Sequence, residues 1–149
     1  MLTAPGGTKI YENVTPGAAG KVVLDKAGIY VLNVVATDAG GAKSTLNFRF
    51  VAEDKDPPKL TISGEIPSKV KKGQNVKLGK ATAQDVSEVT VKITVIRPDG
   101  NLDILSEGKG EVAEISYKIN STGVYKVIYA AEDAYGNVGY KTYSITAEE

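Results

Sequence analysis

Apolar and polar residues alternate with a period of two along most of this chain, and no long stretch keeps the spacing of a helix face. Val89, Val91, Ile93 and Val95 fall on one side of an extended strand, with Thr90, Lys92 and Thr94 on the other. The same spacing puts Ala113, Ile115, Tyr117 and Ile119 on a shared face, and likewise Tyr125, Val127, Tyr129 and Ala131. The pattern predicts strands near 59–63, 75–83, 89–97, 102–105, 111–119, 124–132 and 140–146. Glycine and proline punctuate them at Gly64 to Pro67, Gly73, Pro98 to Gly100, Gly108 to Gly110, Gly123 and Gly136. Strands that pack one face and wet the other call for two stacked sheets, so the expected class is an all-β sandwich.

The stretch STGVYKVIYAAEDAYGN at 121–137 has an earlier counterpart in KAGIYVLNVVATDAGGA at 26–42. Aligning Gly28 with Gly123 pairs Tyr30 with Tyr125, Ala36 with Ala131, Asp38 with Asp133, Gly41 with Gly136 and Ala52-Glu53 with Ala147-Glu148. With a two-residue gap the match continues upstream, setting LTAPGG at 2–7 on VIRPDG at 95–100. The chain therefore divides into a first domain at 1–54, a linker at 55–58 and a second domain at 59–149. The first carries strand signals only near 8–11, 21–25, 29–37 and 44–51, with nothing corresponding to residues 57–94. It reads as the second half of a repeat whose whole form is the second domain.

Seven short strands in about ninety residues is the size of an immunoglobulin-like domain. In INSTGVYKV the order Gly123-x-Tyr125-x-Val127 resembles the start of strand F in that family, where a tyrosine two residues before the disulfide cysteine forms a corner. Val127 occupies the cysteine position, and the core tryptophan is absent as well. The chain thus resembles the bacterial immunoglobulin-like (Big-type) repeats of surface and phage structural proteins, over residues 57–149 in full. The resemblance implies tandem immunoglobulin-like sandwiches, the first incomplete. It also implies an extracellular setting on a bacterial cell surface or phage particle. The function it implies is a structural or spacer module; the alternative is an adhesion module that recognises a carbohydrate or protein through its loops.

An incomplete sandwich exposes both an apolar inner face and an unpaired sheet edge. Tyr30, Leu32, Val34, Ala36, Phe48 and Phe50 would need cover. Three explanations stand open at this level: a start inside a longer protein, a small β unit docked on the complete domain, or strands supplied by another chain. The last predicts self-association through the first domain.

Charge and composition narrow the chemistry. Eighteen basic and eighteen acidic residues cancel, which argues against nucleic acid as a partner. Lys69, Lys71 and Lys72 read as a solvated turn. There is no histidine, cysteine or tryptophan, which excludes histidine- or cysteine-ligated zinc, disulfides, thiol nucleophiles and Ser-His-Asp catalysis. No catalytic residue and no resident cofactor are expected. No apolar run is long enough for membrane insertion, and residues 1–25 lack the plan of an export signal. Pro57-Pro58 stiffens the linker, and Glu53, Asp54 and Asp56 there, with Asp133 and Asn137, raise calcium at the domain junction as one reading. A plain solvated linker is the other. Asp133 to Asn137 is a good turn in its own right, but Tyr135 has no core to fill and its counterpart is Gly40. Tyr135 is therefore the candidate contact residue, with Tyr140 and Tyr11 as further exposed aromatics; Asn13 and Asn120 lie in glycosylation sequons.

Overall fold

The structure, a computed structural model, describes residues 1–11 and 21–149, without the side chain of Tyr11. The sequon at Asn13 lies outside the described residues. Every described regular element is a strand, and the chain separates into two units, Met1–Asp54 and Lys55–Glu149.

In the second unit, β5 (Lys59–Ile62), β6 (Lys69–Lys71), β7 (Asn75–Leu78), β8 (Ala81–Gln84), β9 (Val89–Ile96), β10 (Leu102–Lys109), β11 (Glu111–Val112), β12 (Ile115–Lys118), β13 (Gly123–Asp133) and β14 (Val138–Glu148) follow in chain order. One layer is a five-stranded sheet ordered β10-β9-β13-β14-β6; the facing strands pair as β11-β8-β5 and β12-β7. The predicted alternation holds on the central strands. Val89, Val91, Ile93 and Val95 of β9 and Tyr125, Val127, Tyr129 and Ala131 of β13 all point into one core, where they meet Leu60, Val76, Leu78, Ala81 and Val112. These side chains give up water contact at roughly 25 cal/mol per Å² of apolar surface, the main term that holds two sheets together.

Four local differences from the periodicity have physical causes. The predicted strand 75–83 is split in two at Gly79, where a Cβ would lie 1.6 Å from the Ser63 carbonyl oxygen. That approach lets β7 pair with β12 while β8 pairs with β5 and β11. Tyr129 fixes the break from the core side, its hydroxyl donating to the Gly79 carbonyl at 3.2 Å. Burial, with smaller contributions from Tyr143 and Glu114, pushes the Tyr129 phenol up to about 12. The predicted strand 111–119 is likewise two strands, and the face changes between them: Val112 is buried and Ala113 is exposed. Lys69 to Lys71, read from sequence as a turn, is a strand instead. It pairs in parallel with β14 along Thr146–Glu148, and Lys69 meets Glu148 at 3.4 Å. Finally β10 runs to Lys109 as an edge strand with a bulge between Ile104 and Ser106, a device that blunts an exposed edge.

The first unit holds β1 (Leu2–Thr3), β2 (Lys9–Tyr11), β3 (Gly28–Thr37) and β4 (Lys43–Ala52) in one sheet ordered β2-β1-β3-β4. Residues 21–25 are not a strand, and Leu2–Thr3 is one that the alternation was too short to announce. Leu2 pairs with Leu32 as Val95 pairs with Val127, so β1 stands where the end of β9 stands in the second unit. A small core of Leu2, Ala4 and Tyr30 is buried at that end.

The repeat is exact at its corner. A Cβ on Gly28 would meet Pro5 at 2.8 Å and one on Gly123 would meet Pro98 at 2.8 Å, and both glycines have φ above +100° (+127° and +119°). The Tyr30 hydroxyl donates to the Lys26 carbonyl at 2.8 Å and accepts from the Lys26 amide at 3.2 Å. Tyr125 does the same with Ser121, at 3.1 Å and 3.0 Å. Each ring closes the end of its core while its hydroxyl satisfies the backbone of the preceding turn. Tyr125→Phe is expected to destabilise the second unit by about 0.5–1.5 kcal/mol, because it removes the part-buried hydrogen bonds to the Ser121 backbone. Urea unfolding followed by circular dichroism checks this, and an unchanged midpoint would contradict it.

Candidate contact site at the β13–β14 turn

The turn is built by Asp133. Its Oδ1 accepts from the Tyr135 and Asn137 amides, both at 2.8 Å, and its Oδ2 accepts from Asn137 Nδ2 at 2.7 Å. Asp38 serves the first unit in the same way, Oδ1 accepting from the Gly40 and Ala42 amides at 2.9 Å. Burial would raise the Asp133 carboxyl, but the hydrogen bonds from Asn137, Tyr135 and Gly136 outweigh it and hold its pKa below the ordinary carboxylate value. The β8–β9 connection supports the turn: Ser87 Oγ accepts from the Ala134 amide at 3.3 Å, and Asp85 Oδ1 accepts from the Ser87 amide at 3.2 Å.

This scaffold carries Tyr135 at its tip, 51% exposed. Tyr140, 71% exposed, stands opposite Ala130 in the β13–β14 register. Asn120 is exposed just before β13. Beside the turn, the outer side of β9, β10 and β13 forms an open groove of about 550 Å³ lined by Glu88, Thr90, Lys92, Glu107 and Glu132 together with Ala130, Ala134 and Val138. Lys92 pairs with Glu107 across it at 2.9 Å. The groove was not legible in the sequence, because its residues are the polar half of the strand alternation and each alone reads as a solvated position. Register brings them together, which periodicity cannot reveal.

Asp85 and Asp133 each bring a carboxylate oxygen within 4.8 Å of the other. Asp85 was not among the acids singled out from sequence. A hard cation such as calcium takes about six to eight oxygens. Both carboxylate oxygens of Asp133 already accept hydrogen bonds within the turn.

No protein-family model matches the chain, and no curated protein matches it. Among solved structures it is similar to the PKD domain of the human VPS10 domain-containing receptor SorCS2, at 15% identity and a TM-score of 0.40, over 93% of this chain and 96% of that one. So slight a likeness adds nothing to the architecture described above, which rests on the strands and core themselves.

Because the folded pKa of Asp133 is depressed, its contribution to stability is present above the unfolded value of about 3.9 and is lost as pH falls through the folded value. Asp133→Asn should lower the urea midpoint at pH 7 and flatten the fall in midpoint below about pH 4. Asp99, held low first by the Asn101 amide, retains its own share of the acid dependence. An acid limb of wild-type steepness in Asp133→Asn would contradict this account.

Proposed function

We propose that this chain is a non-enzymatic structural module, a β-sandwich repeat that projects or decorates as part of an extracellular bacterial surface protein or phage particle. The observation that carries the reading is how the second unit distributes its charge. Lys69–Glu148, Lys77–Glu114, Lys80–Glu111, Lys92–Glu107 and Lys109–Glu88 pair residues well apart along the chain, so the charges of the surface are locally neutralised. Exposed pairs of this kind add little to stability but keep a surface soluble and non-adhesive. The assignment to the bacterial immunoglobulin-like repeats belongs to the same proposal, and its support is the Gly-x-Tyr-x-Val start of β13 with the tyrosine corner that the motif implies. Polar groups near the turn support a non-catalytic role, since those of Asp133 and Ser87 are spent on the local backbone. No helix among the described residues is long and apolar enough to cross a membrane.

A second reading, adhesion through the loops to a carbohydrate or protein surface, is favoured by Tyr135 and Tyr140 beside the open groove. Exposed tyrosines offer large contact area at small entropic cost. The two readings separate in one experiment: binding of the labelled chain to a glycan array and to intact bacterial cells, beside a Tyr135→Ser/Tyr140→Ser variant. The spacer reading expects no saturable binding by either protein. Saturable binding that the double variant loses would overturn it in favour of adhesion.

A further inference from the structure

Among the described residues, nothing covers most of one face of the first unit's β3–β4 ribbon. Register places Tyr30 opposite Phe50, Leu32 opposite Phe48 and Val34 opposite Leu46, all on one side. Only Tyr30 is buried; Val34 is 43% exposed, Phe48 52% and Leu46 62%. The counterparts at the centre of the face show what that part requires, while Leu46 corresponds to the exposed Lys141 and Phe48 to the partly buried Tyr143. Val34 corresponds to Tyr129, which is fully buried, and Phe50 to Ile145, which is 1% exposed, because in the second unit a facing sheet covers them. The required occupant is therefore another β-sheet with an uncharged, apolar inner side.

We propose that the occupant is the same face of a second copy of this chain, so that two half-sandwiches close into one. The inner sides of the second unit's sheets are already buried against each other. Among the described residues, the one sheet with an open apolar inner side is β3–β4 itself. The face is also self-complementary. It carries no charged side chain, so nothing electrostatic opposes a copy of itself. β3 presents the smaller residues Val34 and Ala36, and β4 the larger Leu46 and Phe48. A two-fold axis between the layers and along the strands sets β3 of each copy over β4 of the other, small over large. That is the isologous contact by which most dimers form.

The exposed apolar surface of these residues is roughly 400–500 Å² per copy, comparable with the largest patches seen on monomeric proteins. A pair would bury about 900 Å² in all, which is small for a permanent interface and suits an association in the micromolar range. The inference is independent of whether the chain spaces or adheres.

Sedimentation velocity of the full chain between about 1 and 200 µM tests it, the range spanning a micromolar midpoint. A reversible monomer–dimer equilibrium is expected, with Phe48→Glu and Leu46→Lys each shifting the midpoint at least about tenfold towards monomer. Val51 lies on the opposite face and is 66% exposed, so Val51→Lys should leave the equilibrium unchanged. Circular dichroism of each variant verifies that both units remain folded. Monomer alone across the range overturns the proposal. So does a dimer that survives both inner-face substitutions, or growth beyond the dimer, which would signify pairing along the open β4 edge.

Discussion

Two β-sheets share one apolar interior only if each strand turns the correct half of its side chains inward, and the second unit depends on β13 doing so beneath β7 and β8. Tyr125, Val127, Tyr129 and Ala131 supply the centre of that interior. The same strand pairs with β9 along one edge and β14 along the other, so a single extended segment fixes both the layer and its neighbours. Hydroxyls at its two buried tyrosines then tie the layer to the rest: Tyr125 to the turn before it, Tyr129 to the Gly79 carbonyl at the break between β7 and β8. Neither bond is a large term alone. For the buried Tyr129–Gly79 bond the weight comes from the cost of leaving its groups unsatisfied.

Among the described residues, the first unit is the same ribbon without a second layer. β3 and β4 reproduce the register, the glycine–proline contact and the tyrosine corner of β13 and β14. What differs is cover, and the consequence is visible at Phe48, 52% exposed, and Phe50, 37% exposed and stacked on Tyr30 at 5.9 Å. The hairpin's register and corner thus recur in both units, while the burial of its face differs with the cover each has.

The central strands were legible because their alternation is long and uninterrupted, as in Val89 to Val95 and Tyr125 to Ala131. The tyrosine corner was legible because a glycine, a tyrosine and a turn stand at fixed spacing. What escaped was decided by contacts distant in sequence. Gly79 gave no sign that the Ser63 backbone approaches it, and Lys69 to Lys71 looked like a turn because its partner strand is the last in the chain. Ala113 was placed inward by a rhythm that the structure resets at Val112. At the candidate site the Asp133 turn was readable from DAYGN, and the exposure of Tyr135 followed from it. The groove and the approach of Asp85 to Asp133 were not, since both arise from strand register and from a loop that a one-dimensional pattern cannot bring near.

That one motif is used once in a whole sandwich and once in an open sheet is the claim on which the rest stands, and hydrogen exchange at matched amides tests it most directly. The Asn33 amide donates to the Met1 carbonyl at 2.9 Å, so the Val35 and Thr37 amides, on the same side of β3, point past the end of β1. Their counterparts, Ala130 and Glu132, lie opposite Lys92 and Thr90 of β9. The account predicts that Ala130 and Glu132 exchange only through global unfolding of their unit, while Val35 and Thr37 exchange orders of magnitude faster. Equal protection at the two pairs would contradict it.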